Sequence, residues 1–433
     1  MMRTLMSHPS LSADRSGEYE EKSAEWFELF LDLIMVAACS SISEKLRDDL
    51  SFHGFLYFSL LATLFTMTWM LYTSFHARFN EKSLLHYLFL YIWLVGLGGM
   101  VLAGKPGPTF TFGLLLVRIA QLCMRATMYI MLPRTRHKIC VHILVGLVSV
   151  ATLYLSLYLP PSWTITCYLI AIAVEAVGPL AIPPWVRWYR AIYFERIPMN
   201  IDHYKERMGS LVMLTLGEAI LSAIIGFKDP SLLTVRYFIM MELALLVLFS
   251  MAMFYFAMQP SREFHALRRS LALGTAFTYL HIVLFPALLA MGVSLKFITN
   301  SVLKNESLDS THVAWLFGSI SASMFIMLLI RLTHFGGRRP APSDPEHMKR
   351  ITNANVWWTL VGFAPLVPIV CAWLLHKYSR DSINPITALV LAAGFNLVFT
   401  IIETLVMNVL VDSEPRVSEN ENARLLDETP DYS

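Results

Sequence analysis

The sequence predicts an all-α fold, a polytopic membrane helix bundle of about 12 transmembrane helices. The 433 residues are 56% hydrophobic and only 15% charged, whereas soluble proteins carry about 25% charged residues. The apolar residues are gathered into separate runs of roughly 20, the length that crosses about 30 Å of hydrocarbon as a helix. Basic residues are concentrated in alternate connections between these runs. Together these three observations predict a chain that crosses a bilayer many times.

The predicted spans divide the chain into two membrane halves of six helices each. The first half, residues 25–183, has spans at 26–43, 53–75, 85–103, 109–131, 139–159 and 163–183. The second half, residues 208–410, has spans at 208–226, 236–257, 272–296, 313–334, 355–376 and 386–410. Three further segments are a polar cytoplasmic N-tail (1–24), a cytoplasmic interfacial linker (184–207) and an acidic cytoplasmic C-tail (411–433).

The distribution of lysine and arginine predicts the orientation. The tails and connections assigned to the cytoplasm hold 23 of these residues and the opposite connections hold 8. Such an excess over short loops is what the positive-inside rule describes. We therefore expect both termini to be cytoplasmic, and we expect the plasma membrane rather than an organelle membrane.

Ionisable residues inside the predicted spans are the candidates for a substrate or ion pathway. Each costs about 2.5–3.5 kcal/mol at mid-bilayer on insertion scales, so each needs a partner or a purpose. Two interpretations are open. These side chains line a cavity that binds a cation, a proton or a charged solute, or they form ion pairs that only fix helix packing. The candidates are Glu28, Asp32, Arg118, Glu218, His281 and Glu403.

Glu28 and Asp32 are four residues apart, which puts them on one face of a helix. Two carboxylates in a low dielectric repel each other and favour a nearby cation. Arg118 is the expected counter-charge, because a guanidinium group keeps its proton and binds carboxylates with two hydrogen bonds.

A second motif, His203, Glu206 and Arg207, precedes the seventh predicted span at its cytoplasmic end. Two ligands do not make a metal site, so a salt-bridge cluster among these three residues is preferred over metal binding. We find no zincin helix, phosphate-binding loop, nucleophile elbow or dinucleotide fingerprint. The sequence thus predicts no catalytic residues, no metal, no cofactor and no enzyme activity, and its near-zero net charge of +2 gives no indication of nucleic-acid binding.

Several blocks in the first two thirds of the chain resemble the low temperature requirement A (LtrA) family of multi-pass membrane proteins. The opening span is similar to the family signature E-L-F-x-D-L at residues 28–33. His203-x-x-Glu206-Arg207-x-Gly209, continuing to Leu216-Gly217-Glu218, is similar to its H-x-x-E-R-x-G…L-G-E block. Weaker matches are Trp69-x-x-Tyr72-Thr73, Arg78-Phe79, Arg118, Tyr255-Phe256 and Tyr279-Leu280-His281. The chain departs from the pattern at Phe254, where the family has tryptophan. The resemblance implies a multi-pass membrane protein and does not imply a defined molecular activity.

The order of an acidic helix, an aromatic helix and a histidine-bearing helix occurs twice, which indicates two six-helix repeats in the same orientation. Asp32, Trp69 and His86 form the first set, and Glu218, Phe254 and His281 form the second. Coincidence is the alternative, because few residue identities are shared.

Two functions follow from these patterns. The first is a secondary transporter or channel for an ion or small solute, with Asp32, Arg118 and Glu218 in its polar core. The alternative is a non-transporting membrane sensor or assembly factor whose buried charges are structural. Either one would have the lipid bilayer as its partner, and the oligomeric state is left open.

Overall fold

The computed structural model describes residues 9–12, 25–179, 197–224, 234–257, 259–260, 262–339, 341–342, 344, 346–379 and 383–411, and these are mainly helical. The helices in chain order are α1 (Trp26–Asp48), α2 (Phe52–His76), α3 (Leu84–Ala103), α4 (Pro108–Met131), α5 (Arg136–Leu155), α6 (Thr164–Val177), α7 (Ile201–Ile224), α8 (Val235–Phe256), α9 (Ala266–Arg269), α10 (Leu271–Lys304), α11 (Ser310–Phe335), α12 (Glu346–Asn353), α13 (Asn355–Phe363), α14 (Leu366–Ser379) and α15 (Pro385–Val411).

Among the described residues, eleven helical segments are long and apolar enough to cross a membrane. A shorter apolar helix, Pro161–Val177, covers most of the sixth predicted span, and the end of that span lies outside the described residues. The described strands are β1 (Ser10–Leu11) and β2 (Phe79–Asn80), which pair antiparallel. The prediction of an all-α membrane bundle of about twelve helices is therefore confirmed.

The helix ends are set by local chemistry. The hydroxyl groups of Ser51, Ser83 and Ser270 each accept a hydrogen bond from a backbone N–H in the first turn of α2, α3 and α10. Such caps satisfy donors that have no partner within the helix. Gly104 (φ 61°) and Asn305 (φ 54°) end α3 and α10 in the left-handed conformation, which glycine and asparagine tolerate best.

The predicted span 355–376 is broken into α13 and α14 at residues 364–365. Pro365 causes the break, since a proline has no N–H to continue the helix. The backbone oxygen of Pro365 accepts a hydrogen bond from the Ser321 hydroxyl of α11 at 2.5 Å. The neighbouring helix thus adds a hydrogen bond to the backbone at the break, where the helical pattern is interrupted at membrane depth.

Small residues bring helices together at two positions. A Cβ atom at Gly96 of α3 would lie 2.6 Å from the backbone oxygen of Gly113 in α4. A Cβ atom at Gly292 of α10 would lie 2.9 Å from the Cβ of Ala219 in α7. Such close approach is typical of membrane helix pairs. The two halves meet where α1 and α2 contact α7 and α10.

The boundary predicted before the second half is wrong. Helix α7 begins at Ile201, so the last residues of the predicted linker 184–207 are helical and the predicted span began seven residues late. Polar residues in these first two turns concealed the helix start, because a hydropathy pattern registers only the apolar part. Residues 180–196 lie outside the described residues, as do residues 412–433 of the C-tail and all of the N-tail except 9–12.

Candidate functional site

Asp32 of α1 and Arg207 of α7 form a buried ion pair at the interface between the halves. Arg207 Nη1 and Nη2 lie 2.7 Å from Asp32 Oδ2 and Oδ1. The indole Nε1 of Trp69 in α2 donates to Asp32 Oδ1 at 2.8 Å, and the guanidinium group lies 4.9 Å from the Trp69 ring centroid. Asp32 is 6% exposed and Arg207 is 0% exposed. This bidentate geometry neutralises both charges and joins three helices.

Glu28 lies one turn before Asp32 and contacts His203 of α7. Its Oε1 is 3.2 Å from His203 Nε2 and 4.0 Å from Arg207 Nε. Its Oε2 accepts the backbone N–H of Glu25 at 3.0 Å, which makes Glu28 part of the N-terminal capping box of α1. Glu28 and His203 are both fully buried. The pair can share or exchange a proton, which Arg207 cannot do.

The predicted pairing of Arg118 with Glu28 and Asp32 is wrong. Arg118 of α4 pairs with Glu175 of α6, with Nε–Oε1 and Nη2–Oε2 distances of 2.5 and 2.8 Å. Thr68 accepts from Arg118 Nη1, and Ser149 donates to Glu175. The pair therefore lies inside the first half. The sequence placed Arg118 at membrane depth but gave no information about which carboxylate it would face.

Glu403 of α15 has a similar closed pair inside the second half. It accepts a hydrogen bond from Arg331 of α11, whose other terminal nitrogen donates to the backbone oxygen of Phe254. The Arg331 guanidinium also lies 3.9 Å from the Phe254 ring centroid. In the sequence-based prediction, Arg331, near the end of the predicted span 313–334, counted among the cytoplasmic basic residues, but it is buried within α11. The basic residues that follow it on the chain hid its role.

Glu218 of α7 differs from the other candidate carboxylates. It is 6% exposed, yet it forms no salt bridge within the described part of the chain. The Ser222 hydroxyl donates to Glu218 Oε1 at 3.4 Å, and Ser40 of α1 lies nearby. Lys296 and Glu44 act on it only through their electric fields. A buried carboxylate with hydroxyl partners can take up a proton or a small cation.

His281 and Glu206 do not join these groups. His281 Nδ1 lies 2.7 Å from the backbone oxygen of Phe277, and its Nε2 lies 2.8 Å from the Tyr255 hydroxyl. Glu206 is exposed on α7. The predicted cluster of His203, Glu206 and Arg207 is therefore wrong: successive residues of a helix point in different directions, so His203 and Arg207, four apart, face α1 together and Glu206 does not.

The contacts between α1 and α7 advance in the same direction along both helices. Glu28 meets His203, and Asp32, four residues later, meets Arg207, four residues later. The two helices are therefore parallel, as two repeats in one orientation require. We call the end at which α1 and α7 begin the inner end, and the opposite end the outer end.

Glu218 lies eleven residues beyond Arg207 on α7, about 16 Å along a helix. Asp32 is thus close to the inner end and Glu218 close to the outer end, so the equivalence of these two residues in the predicted repeat is wrong. Asp32, Arg118 and Glu218 do not form one polar core. The interface instead carries an inner polar group (Glu28, Asp32, His203 and Arg207) and an outer polar group (Glu218, Ser222 and Ser40).

The stretch of interface between these two groups is apolar. Met35 and Ala38 of α1 and Leu211 and Val212 of α7 are buried there. The Thr215 hydroxyl within the stretch donates to the Val212 backbone oxygen at 2.7 Å. Across the described residues, no group of three or more metal-ligating side chains occurs. The arrangement can hold charge at each end of the interface but presents a barrier in the middle.

The family described as bacterial low temperature requirement A protein (LtrA) has a model that matches residues 23–412 of the chain. The match extends through the last third, where the sequence motifs indicated no resemblance. Neither the curated proteins nor the solved structures contain a match to the chain.

Proposed function

The chain belongs to the LtrA family of membrane proteins, and we propose that it is a secondary transporter for an ion or small solute. Its path would follow the interface of α1 and α7, the first helices of the two halves. In this proposal both termini are cytoplasmic, the inner end faces the cytosol and the protein resides in the plasma membrane.

The observation that carries the proposal is Glu218, a buried carboxylate at the junction of the halves without an ionic partner among the described residues. A carboxylate held only for packing is stabilised by a cation, as Glu175 is by Arg118. Leaving one in the membrane with hydroxyl partners is costly. The cost is offset when the site takes up a proton or a cation.

The barrier between the two polar groups favours a transporter over an open channel. Solute sites in transporters lie between repeats, and rocking of the repeats exposes them alternately to each side. Here the outer polar group can bind the coupling ion, and the Glu28–His203 pair can exchange protons at the inner end. The Asp32–Arg207 ion pair joins the halves and would have to move or break as they rock.

Flux into liposomes tests the proposal. The purified protein is reconstituted with proton-, sodium- and potassium-sensitive dyes, and wild type is compared with Glu218→Gln and Asp32→Asn. Glu242→Gln is the matched control, since Glu242 is an exposed carboxylate in a neighbouring helix, α8. We expect flux in wild type and in the control, and loss in Glu218→Gln. Equal flux for wild type and Glu218→Gln, or none in wild type for any cation or pooled metabolites, contradicts the proposal.

The alternative, a sensor or assembly factor, has support of its own in the closed pairs Arg118–Glu175 and Arg331–Glu403, which leave no charge available. If the interface charges are also only structural, Asp32→Arg and Arg207→Asp will each lower the folded yield, and the double variant that carries both changes will restore it. None of these variants will then change the flux.

A further inference from the structure

We propose that a small cavity near the inner end of the second half binds a monovalent inorganic anion of about the size of chloride. The cavity lies where α7, α8, α10 and α11 meet the connection before α9, away from the interface of α1 and α7. It has a volume of about 20 Å³, enough for a water molecule or a small ion. Its walls include Lys205, Gln259, His265, Phe277, Arg331 and His334.

Two histidines line this cavity, and in each ring the backbone leaves one nitrogen as a possible donor. His265 Nδ1 accepts the backbone N–H of Leu267 at 3.2 Å, and His334 Nδ1 accepts that of Ala266 at 3.0 Å. A neutral imidazole has one proton, so in both rings it must be on Nε2. The ring centroids are 4.6 Å apart. The pair therefore offers N–H groups, not lone pairs, on the side away from the backbone.

One of these donors lacks a partner. His265 is 0% exposed, and its Nε2 forms no hydrogen bond with any described residue. A buried donor left unsatisfied costs about 1–3 kcal/mol. An acceptor in the cavity would remove this cost.

The charged side chains that line the cavity are basic. Among the described residues, these are Lys205 and Arg331. Glu403 already neutralises Arg331, and Asp202 Oδ1 lies 3.6 Å from Lys205 Nζ. Burial lowers the pKa of His265 to about 3, and the charge of Lys205 acts in the same direction. His265 is thus a neutral donor beside a partly compensated ammonium group.

This donor set excludes a metal ion and selects for size. A metal needs an imidazole lone pair, and here the Nδ1 lone pairs of both rings are used by the backbone. An anion needs N–H donors and a nearby positive charge. The small volume favours a compact monovalent ion over a hydrated tetrahedral dianion.

Chloride binding to the full chain in uncharged detergent tests the assignment, and it does not depend on transport. Tm is followed during titration with sodium chloride against sodium gluconate at equal ionic strength. His265→Asn is the informative variant, because its side-chain oxygen can still accept the Leu267 N–H while Nε2–H is lost. Lys205→Met removes the charge, and Lys105→Gln, at an exposed lysine in another connection, is the control.

We expect a saturable rise in Tm for wild type and Lys105→Gln. Losing a hydrogen bond to a charged group weakens binding about tenfold or more. His265→Asn and Lys205→Met should therefore need at least about ten times as much chloride as wild type to reach half of the rise in Tm. Equal titrations for wild type and His265→Asn, no chloride-specific rise in wild type, or tighter binding of sulfate than of chloride overturns the proposal.

Discussion

The interface between the halves and the interior of each half both hold buried carboxylates, but they partner them differently. Inside the halves, Glu175 faces one arginine and a serine hydroxyl, and Glu403 faces one arginine that also lies over the Phe254 ring. At the interface, Glu28 faces a histidine, Asp32 shares its arginine with Glu28, and Glu218 has hydroxyl partners.

The difference separates two uses of charge in a membrane. A carboxylate paired with its own arginine remains ionised and holds helices together. A carboxylate with hydroxyl partners has no fixed counter-charge, and one beside a histidine faces a group that exists in both charged and neutral forms. The interior of the halves is thus suited to rigidity, and the interface to binding and motion.

The largest expected effect is at an interior pair. Arg118→Leu would leave Glu175 buried with the Ser149 hydroxyl as its hydrogen-bond partner among the described residues, and stranding one member of a buried pair costs about 3–5 kcal/mol. We expect little monodisperse protein by size-exclusion chromatography in detergent. Arg118→Leu/Glu175→Leu should recover most of the yield, because it removes both charges. A double variant as unstable as the single one would show that the pair does more than neutralise charge.

A smaller effect is expected for Asp32→Asn at the interface. The asparagine oxygen can still accept from Trp69 and Arg207, and Glu28 lies 4.0 Å from the same guanidinium group. The loss should be about 1–3 kcal/mol, measured as a lowered Tm in detergent. The Tm of Asp32→Asn must therefore be higher than the Tm of Arg118→Leu. The reverse order would mean that the interface is the more rigid region.

Much of the fold could be predicted from the sequence because hydropathy reports membrane burial directly. The limits of α2, α4 and α8 agree with the predicted spans to within one residue. The start of α7 was missed because its first two turns carry polar residues, of which His203 and Arg207 face α1 rather than lipid. Burial against a polar partner has no hydropathy signal.

The partners at the site could not be predicted in the same way. Sequence identified Glu28, Asp32, Glu218 and Arg207 as exceptional, since ionisable residues in or beside apolar runs stand out. It paired Asp32 with the wrong arginine, because pairing depends on which helices are neighbours. The one available signal was the four-residue spacing of His203 and Arg207, which matches that of Glu28 and Asp32.

Acid should distinguish a third region, the connection that holds His265, from the two regions compared above. Burial lowers the pKa of His265 to about 3 in the folded chain, whereas the pKa is about 6.5 in the unfolded chain. Below pH 6.5 the unfolded chain binds a proton that the folded chain does not, so stability falls as the pH falls toward 3. Between pH 7 and 5.5 this amounts to about 1 kcal/mol. In chloride-free buffer, His265→Asn should lose that much less stability over the interval; an equal loss would contradict a neutral buried His265.

The smallest change in stability is expected for Glu218→Gln, and here the comparison is most open to contradiction. Glutamine has the same shape and can still accept from Ser222, so the free energy of unfolding should change by less than about 1 kcal/mol. Glu218 has no arginine partner among the described residues, so Glu218→Gln leaves no buried cation unpaired, whereas Arg118→Leu leaves a buried carboxylate unpaired. Glu218→Gln should then keep the wild-type Tm in detergent but lose ion flux in liposomes. If Glu218→Gln instead fails to fold while flux persists in the surviving fraction, the carboxylate is a structural element like Glu175 and the interface has no special use of charge.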